Sequence, residues 1–290
     1  MQYINKIGTD LENRGIECSQ LYINSCWNND EGCYVNLSYD SSKLEDLRKL
    51  LVEEEVYCCY CMRKLYLDKD GEHNKNVTLE HIIPHQIKEI EWQDTKEEYL
   101  KFGPLSSDKV NVCYEGKYDQ PTKPITGLPH PHFVSYHNLV ASCNGETCCC
   151  KELSFKIVSY NCCNNKRQER FVMPMFYYDN IDDLLGYNEE GKLEYDDDYI
   201  KEEWFNDKHL NLSSSWLNSV RKFWYELALS GEYSAEQVER AITEKELRSD
   251  IIDDVDPDAT IFSAAVTDSL WVILSEYSWF YNYYKNKYAA

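Results

Sequence analysis

Cysteine spacing limits what this chain can fold into more than any other feature. Cys58-x-x-Cys61 puts two thiols on one tight turn, a spacing from which both reach a single tetrahedral metal ion. Cys143 and Cys163, far downstream, are the candidates for the other half of a four-thiolate zinc site. Cys148, Cys149, Cys150 and Cys162 stay open as alternatives, although consecutive residues share one ion poorly. No internal repeat and no low-complexity tract accompanies them. Two other uses of cysteine compete with the metal. A lone Cys-x-x-Cys also serves redox chemistry, and cysteine-rich chains can be disulfide scaffolds. Thirteen cysteines in 290 residues fall short of the roughly 8–10% that marks such scaffolds. Their number is odd, and Met1-Gln2-Tyr3-Ile4-Asn5-Lys6 lacks the basic-then-apolar layout of a secretory signal. Reduced thiols, and with them a soluble cytoplasmic protein, are the expectation.

The stretch between the half-sites carries groups suited to hydrolysis. Leu44, Leu47, Leu50 and Leu51 recur at helical spacing behind Ser42, which predicts a capped helix running to Val56 and into the cysteine turn. Arg63 to Leu67 reads as a strand and Asp68 to Gly71 as a turn; Val77 to Leu79 reads as a second strand ending at Glu80-His81. Pro84 stops a helix from following at once. A carboxylate oxygen at Glu80 suits a hard Mg²⁺ or Mn²⁺ ion, and an imidazole at His81 can take a proton from water. Asn138 can orient that imidazole. Asn164, with Asn165 as its rival, can place an amide oxygen on the metal of Glu80. Lys166, Arg167 and Arg170 form the one local basic cluster, where a phosphate backbone would lie. The intervening residues 86–135 read as an insertion. A charged helix from Glu89 to Leu100 opens it, and a proline-rich loop follows in which His130 and His132 read as surface residues. His85 and His137 flank the motif, and either is a candidate to touch phosphate or metal.

Charge cuts across this reading. Thirty basic against 51 acidic residues gives −21, the wrong sign for a chain that grips a polyanion alone. From Tyr177 to Lys208 twelve acidic residues stand against three basic ones, a solvated face or linker. Helices follow. One is capped at Ser213 to Ser215 and carries Leu217, Val220, Trp224 and Leu227; another is capped at Ser234. A long one runs from about Thr260, with Phe262, Val266, Leu270, Ile273, Leu274 and Tyr277 on one stripe. The aromatic stretch Trp279 to Tyr284 reads as core packing, with a partner surface as the alternative. No apolar run is long enough to span a bilayer, and no phosphate-cradling Gly-Lys loop gives the chain an ATPase of its own. The expected organisation is an N-terminal cap over 1–42 with scattered thiols, a central domain over 43–175, and an acidic linker with a helical domain over 176–290.

Taken together, Cys58-x-x-Cys61, Glu80-His81-Ile82-Ile83-Pro84, Asn138-Leu139-x-x-x-Cys143 and Cys163-Asn164-Asn165-Lys166 resemble a zinc-braced HNH (ββα-metal) endonuclease. More narrowly, the segments around Cys58 to Arg63 and Asn138 to Gly145 look like the HNH subunit of Septu-type and retron-linked antiphage systems. The likeness covers roughly residues 44–170. It implies an α+β fold with a ββα-metal core, an insertion and a mainly helical C-terminal region. It also implies phosphodiester hydrolysis in DNA or tRNA, structural Zn²⁺ on Cys58, Cys61, Cys143 and Cys163, and catalytic Mg²⁺ or Mn²⁺ on Glu80 and Asn164. His81 would be the general base and Asn138 its orienting partner. An ABC/SMC-like ATPase subunit would be the partner, with a retron RNA or DNA and a reverse transcriptase in some systems. The family's last histidine is an asparagine here, and both the His81–Asn138 and Cys143–Cys163 intervals are longer than in the compact motif. A zinc-binding scaffold without catalysis is the competing expectation.

Overall fold

The computed structural model describes residues 1–39, 42–70, 73–114, 121–145, 162–167, 170–196, 209–244, 247–248, 251 and 268–288. Among these residues the chain is α+β, with nine α-helices and four small two-stranded sheets.

Helix α1 (Asp10–Ser25) occupies the N-terminal segment that the sequence reads only as a cap. The Thr9 hydroxyl accepts the Glu12 amide at 3.1 Å to start it. Its buried face includes Glu12, Gly15 and Ser19, so no apolar stripe announces it. Gly15 is there for closeness: a Cβ would lie 2.1 Å from Cδ2 of Tyr136, whose ring rests on the bare backbone. A short hairpin of β1 (Trp27–Asn28) and β2 (Cys33–Tyr34) follows.

Helix α2 (Glu45–Glu55) buries Leu47, Leu50 and Leu51 as the spacing predicts. It begins after Leu44 rather than at Ser42, with no side-chain cap; Glu45 and Asp46 instead set negative charge against the helix N-terminus. The strand expected at Arg63–Leu67 is absent beyond a single bridge between Tyr57 and Lys64. Asn76 takes over its hydrogen bonds, accepting the Tyr66 amide at 2.8 Å and donating to the Lys64 carbonyl at 2.9 Å. A side-chain amide thus replaces a ladder.

The central sheet pairs β3 (Val77–His81) with β6 (Leu139–Cys143), antiparallel, His81 opposite Leu139 and Val77 opposite Cys143. Between them lie α3 (Glu89–Leu100), as the sequence predicts, and a parallel pair of β4 (Val110–Asn111) and β5 (His130–Pro131). The short helix α4 (Cys163–Arg167) follows β6 and contacts it. Strand, strand and helix therefore occur in that order around the cysteines.

Beyond them come α5 (Ile181–Leu184), the hairpin β7 (Leu185–Tyr187) and β8 (Leu193–Tyr195), and the helices α6 (Ser215–Ser230) and α7 (Ala235–Thr243), capped by Ser214 and Ser234. The one long helix expected at the C-terminus is two, α8 (Asp268–Ser275) and α9 (Trp279–Tyr288); Phe262 and Val266 of the expected stripe lie outside the described residues. Glu276 explains the break. Its carbonyl accepts the Lys64 amide at 2.7 Å, and its carboxylate takes Arg63 at 2.5 Å and His73 at 3.3 Å. These bonds pull the chain out of helical register and dock it on the segment after Cys61. Phe280, Tyr281 and Tyr284 are buried, as core packing requires. One apolar cluster runs from Met1 to Tyr284, so the C-terminal helices brace the cysteine region. No helix among the described residues is long and apolar enough to cross a membrane.

Candidate functional site

The four cysteines singled out by spacing meet. Sγ atoms of Cys58, Cys61, Cys143 and Cys163 all lie within 4.8 Å of one another and are buried, an arrangement that could hold a metal ion such as zinc. Cys61 and Cys143 are 3.7 Å apart. That is far beyond a disulfide bond of about 2.05 Å, and it matches the roughly 3.8 Å edge of a tetrahedron built on ~2.3 Å Zn–S bonds. Local geometry aims each thiol. Met62 adopts a left-handed φ of 61° and its amide closes the turn onto the Cys58 carbonyl at 3.1 Å. Cys59, the bystander, hydrogen-bonds through its amide to Ala141 of β6 at 3.2 Å, which fixes the turn against the strand carrying Cys143. Burial raises the Cys59 thiol well above its ordinary value, so it stays protonated.

On the other half-site, Gly145 is at φ 69°, and a Cβ there would sit 2.1 Å from the Cys162 carbonyl. Only a glycine lets the returning chain come this close. Cys163 is then pinned by its amide to the Leu210 carbonyl at 3.0 Å. The neighbouring Cys162, Cys163, Cys58 and Cys61 thiols converge on Cys143 and hold it well below its ordinary value. Burial raises Cys61 and Cys163 well above theirs, so without a cation the four thiols share their protons unevenly. Cys162 is a fifth thiol, 3.5 Å from Cys163; Cys148, Cys149 and Cys150 lie outside the described residues.

His81 ends β3 and is nearly buried. Its Nε2 is 3.0 Å from the Phe133 carbonyl. A carbonyl only accepts, so Nε2 carries the hydrogen and Nδ1 holds the lone pair. Burial keeps the imidazole well below its ordinary value, hence neutral. The Tyr39 ring stands edge-on to it at 4.3 Å, and the half-buried His85 ring lies 5.2 Å away. Phe133 and Tyr39, which position the base, carry no signal in the sequence.

Several expected roles change. Asn138 does not orient the His81 ring. Its amide accepts from Ile83 N at 2.7 Å and donates to the carbonyls of Ile83 at 2.9 Å and His132 at 2.8 Å. It fixes the loop after His81, and so acts through the backbone. Glu80 is buried and ion-paired with Arg167, with Tyr60 donating to it at 3.3 Å. Burial pushes this carboxyl up against the pull of Arg167. A divalent ion added here would face a carboxylate already neutralised by a guanidinium. Asn164 donates its amide to Thr78 at 3.0 Å. Glu80 as arranged therefore does not fit a hard-cation site.

Arg167, expected at a phosphate, is buried. It binds the Glu80 carboxylate, the carbonyls of His81 and Ile82, and the Arg170 carbonyl at 3.0 Å. It couples α4 to the end of β3. Asn165 and Arg170 are exposed and Lys166 half-buried.

His130 and His132 are fully buried, which corrects the surface reading. His132 accepts the Cys113 amide on Nδ1 at 3.2 Å and donates from Nε2 to the Pro84 carbonyl at 3.1 Å. His137 pairs with Glu12 at 2.8 Å on α1; of the two flanking histidines only His85 is near His81.

Burial depresses His81, His130, His132 and His137, with His130 and His132 lowered to about 4. A base depressed in the folded state takes up a proton on unfolding. Its stabilising contribution is complete above the unfolded value of about 6.5 and is lost as pH falls towards the folded value. Stability is expected to drop between about pH 6.5 and 4, by about 1.4 kcal/mol per pH unit for each such histidine. A Tm flat across that window, measured by circular dichroism, would mean these rings are not held neutral.

No protein-family model matches the chain, and no curated protein or solved structure matches it either.

Proposed function

We propose that this chain is a metal-braced phosphodiesterase of the HNH type, with His81 as its general base. The observation that carries the reading is the His81 imidazole itself: neutral, fixed through Nε2–H on the Phe133 carbonyl, and left with a lone pair on Nδ1. A base held in one tautomer at the end of a strand can deprotonate water that attacks a phosphodiester. The four-thiol cluster and the order β3, β6, α4 support the same reading, because they tie β6, the strand paired with β3, to the Cys58 turn and to α4. Arg167 does so from within, by holding the backbone of His81 and Ile82. Mg²⁺ or Mn²⁺ has no seat at Glu80 while Arg167 holds that carboxylate.

The net charge of −21 favours a complex in which another subunit, such as an ATPase, supplies the phosphate contacts of a DNA or tRNA target in antiphage defence. A second reading has an observation of its own. Glu80, Asn138 and Arg167 are all used structurally, as a non-catalytic zinc scaffold would use them.

Cleavage of plasmid and of total tRNA, with and without Mn²⁺ and with and without the product of the neighbouring gene, separates the two. His81→Ala is expected to lower the rate roughly 100-fold or more, the usual contribution of a general base. Equal cleavage by native and variant chains, or none by a folded, metal-loaded chain under any condition, favours the scaffold.

A further inference from the structure

A fifth thiol reaches the cysteine cluster. Sγ of Cys162 is 3.5 Å from that of Cys163, and the side chain also interacts with those of Cys61 and Cys143. Cys58 interacts with the same three partners. Cys61, Cys143 and Cys163 therefore form a triangle of sulfurs that both Cys58 and Cys162 adjoin. We infer that the cluster holds a thiophilic divalent ion such as zinc in two alternative four-thiolate sets, with Cys61, Cys143 and Cys163 completed either by Cys58 or by Cys162. This rests on the metal brace of the proposed function and not on catalysis by His81.

Backbone geometry brings the spare thiol in. Side chains of consecutive residues ordinarily diverge, which is why neighbours share one ion poorly. Cys163 adopts a φ of 51°, in the left-handed region that residues with a Cβ rarely occupy, and the two thiols come to lie side by side. Strained residues of this kind gather at ligand clamps. Cys162 is buried and anchored at both ends: its amide donates to the Gly145 carbonyl at 3.3 Å, and its carbonyl accepts the Lys166 amide at 3.3 Å. Gly145 stands just past Cys143, so the segment that carries one shared thiol also places the spare one.

A fifth thiol has a simpler use, as a hydrogen-bond donor to sulfurs that hold the ion. One S–H group supplies one hydrogen, whereas Cys162 meets three sulfurs. Its 3.5 Å approach to Cys163 is close to the roughly 3.8 Å edge of a four-thiolate zinc tetrahedron and far beyond a disulfide bond of about 2.05 Å. With two sets available, Cys58 can leave the ion while the fourth sulfur is made up by Cys162. Cys143, common to both sets, has no such substitute.

The test is cadmium–proton NMR on the full chain loaded with Cd²⁺, a thiophilic stand-in for zinc. Scalar coupling from bound cadmium to cysteine β-protons identifies the ligands directly. Couplings to Cys58, Cys61, Cys143, Cys162 and Cys163 are expected in the native chain, and the Cys162→Ser chain should keep the other four. Couplings confined to Cys58, Cys61, Cys143 and Cys163 in the native chain would overturn the second set and keep the brace; a chain that binds no cadmium would remove both. Cobalt supplies a second readout. Cys58→Ser is expected to bind Co²⁺ with the charge-transfer absorption of a four-sulfur site. Cys58→Ser combined with Cys162→Ser should lose about a quarter of it, one sulfur in four. Loss of that quarter in Cys58→Ser alone would mean that Cys162 does not take the vacant place, and would overturn the inference.

Discussion

Cys143→Ser, or removal of the metal with a chelator, is expected to abolish the cooperative thermal transition of this chain. Four buried thiols within 4.8 Å of one another have little to hold them together without a cation, because cysteines bind zinc as thiolates and those charges repel once the ion is gone. Structural zinc contributes about 10–16 kcal/mol in small zinc-bound peptides, as large as the 5–15 kcal/mol net stability of ordinary domains. Cys143 also sits at the end of β6 opposite Val77, so its loss frees the strand that faces His81. Metal content should be one zinc per native chain, released when thiols are modified. A native-like melt after complete removal of the metal would show that packing alone supports the knot. The redox reading of Cys58-x-x-Cys61 would then regain its standing, although both thiols are fully buried.

Arg167→Leu is the second large effect. The substitution leaves the Glu80 carboxylate buried without its partner and strands the carbonyls of His81 and Ile82. Breaking a buried pair in this way costs about 3–5 kcal/mol, or a fall in Tm of roughly 10 °C in a chain of this size. Replacing both members, Glu80→Leu with Arg167→Leu, should recover part of the loss, because no charge is then left in the interior. A Tm drop near 1 °C for the single variant would mean that the pair is solvated. The double variant also has a use for function. If it folds and its cleavage is lost while His81 is intact, the end of β3 needs the guanidinium to aim the base.

The four-thiol cluster was legible from spacing because coordination chemistry is local in its demands: Cys58 and Cys61 share a turn, and a metal ion held there needs two further ligands from elsewhere. Helix α3 and the caps at Ser214 and Ser234 were legible for the same reason, each being written in a short window. What was hidden depends on distant partners. Helix α1 buries Glu12 and Gly15, a choice explained only by His137, Lys109 and Tyr136 far away. Arg167 reads as a surface cation in a basic run, and nothing nearby says that Glu80 will take it. The proline-rich loop reads as surface, yet it delivers His130 and His132 to the interior and the Phe133 carbonyl to His81.

The thiols of Cys61 and Cys143 that meet at the knot stand 82 positions apart in the chain. Bringing such ends together costs entropy that grows only slowly with loop length, by about 0.6 kcal/mol per doubling, but it must be spent before the contact repays it. Cys58 and Cys61 can capture an ion early, as a half-filled knuckle, while β6 and α4 are still unformed. Completion then waits for the whole 86–135 excursion to fold back, so an ion held by all four thiols would close the structure late. Refolding should accordingly slow when the ion is added after the denaturant is removed rather than before, and a newly made chain stays exposed to competing thiol chemistry until that closure.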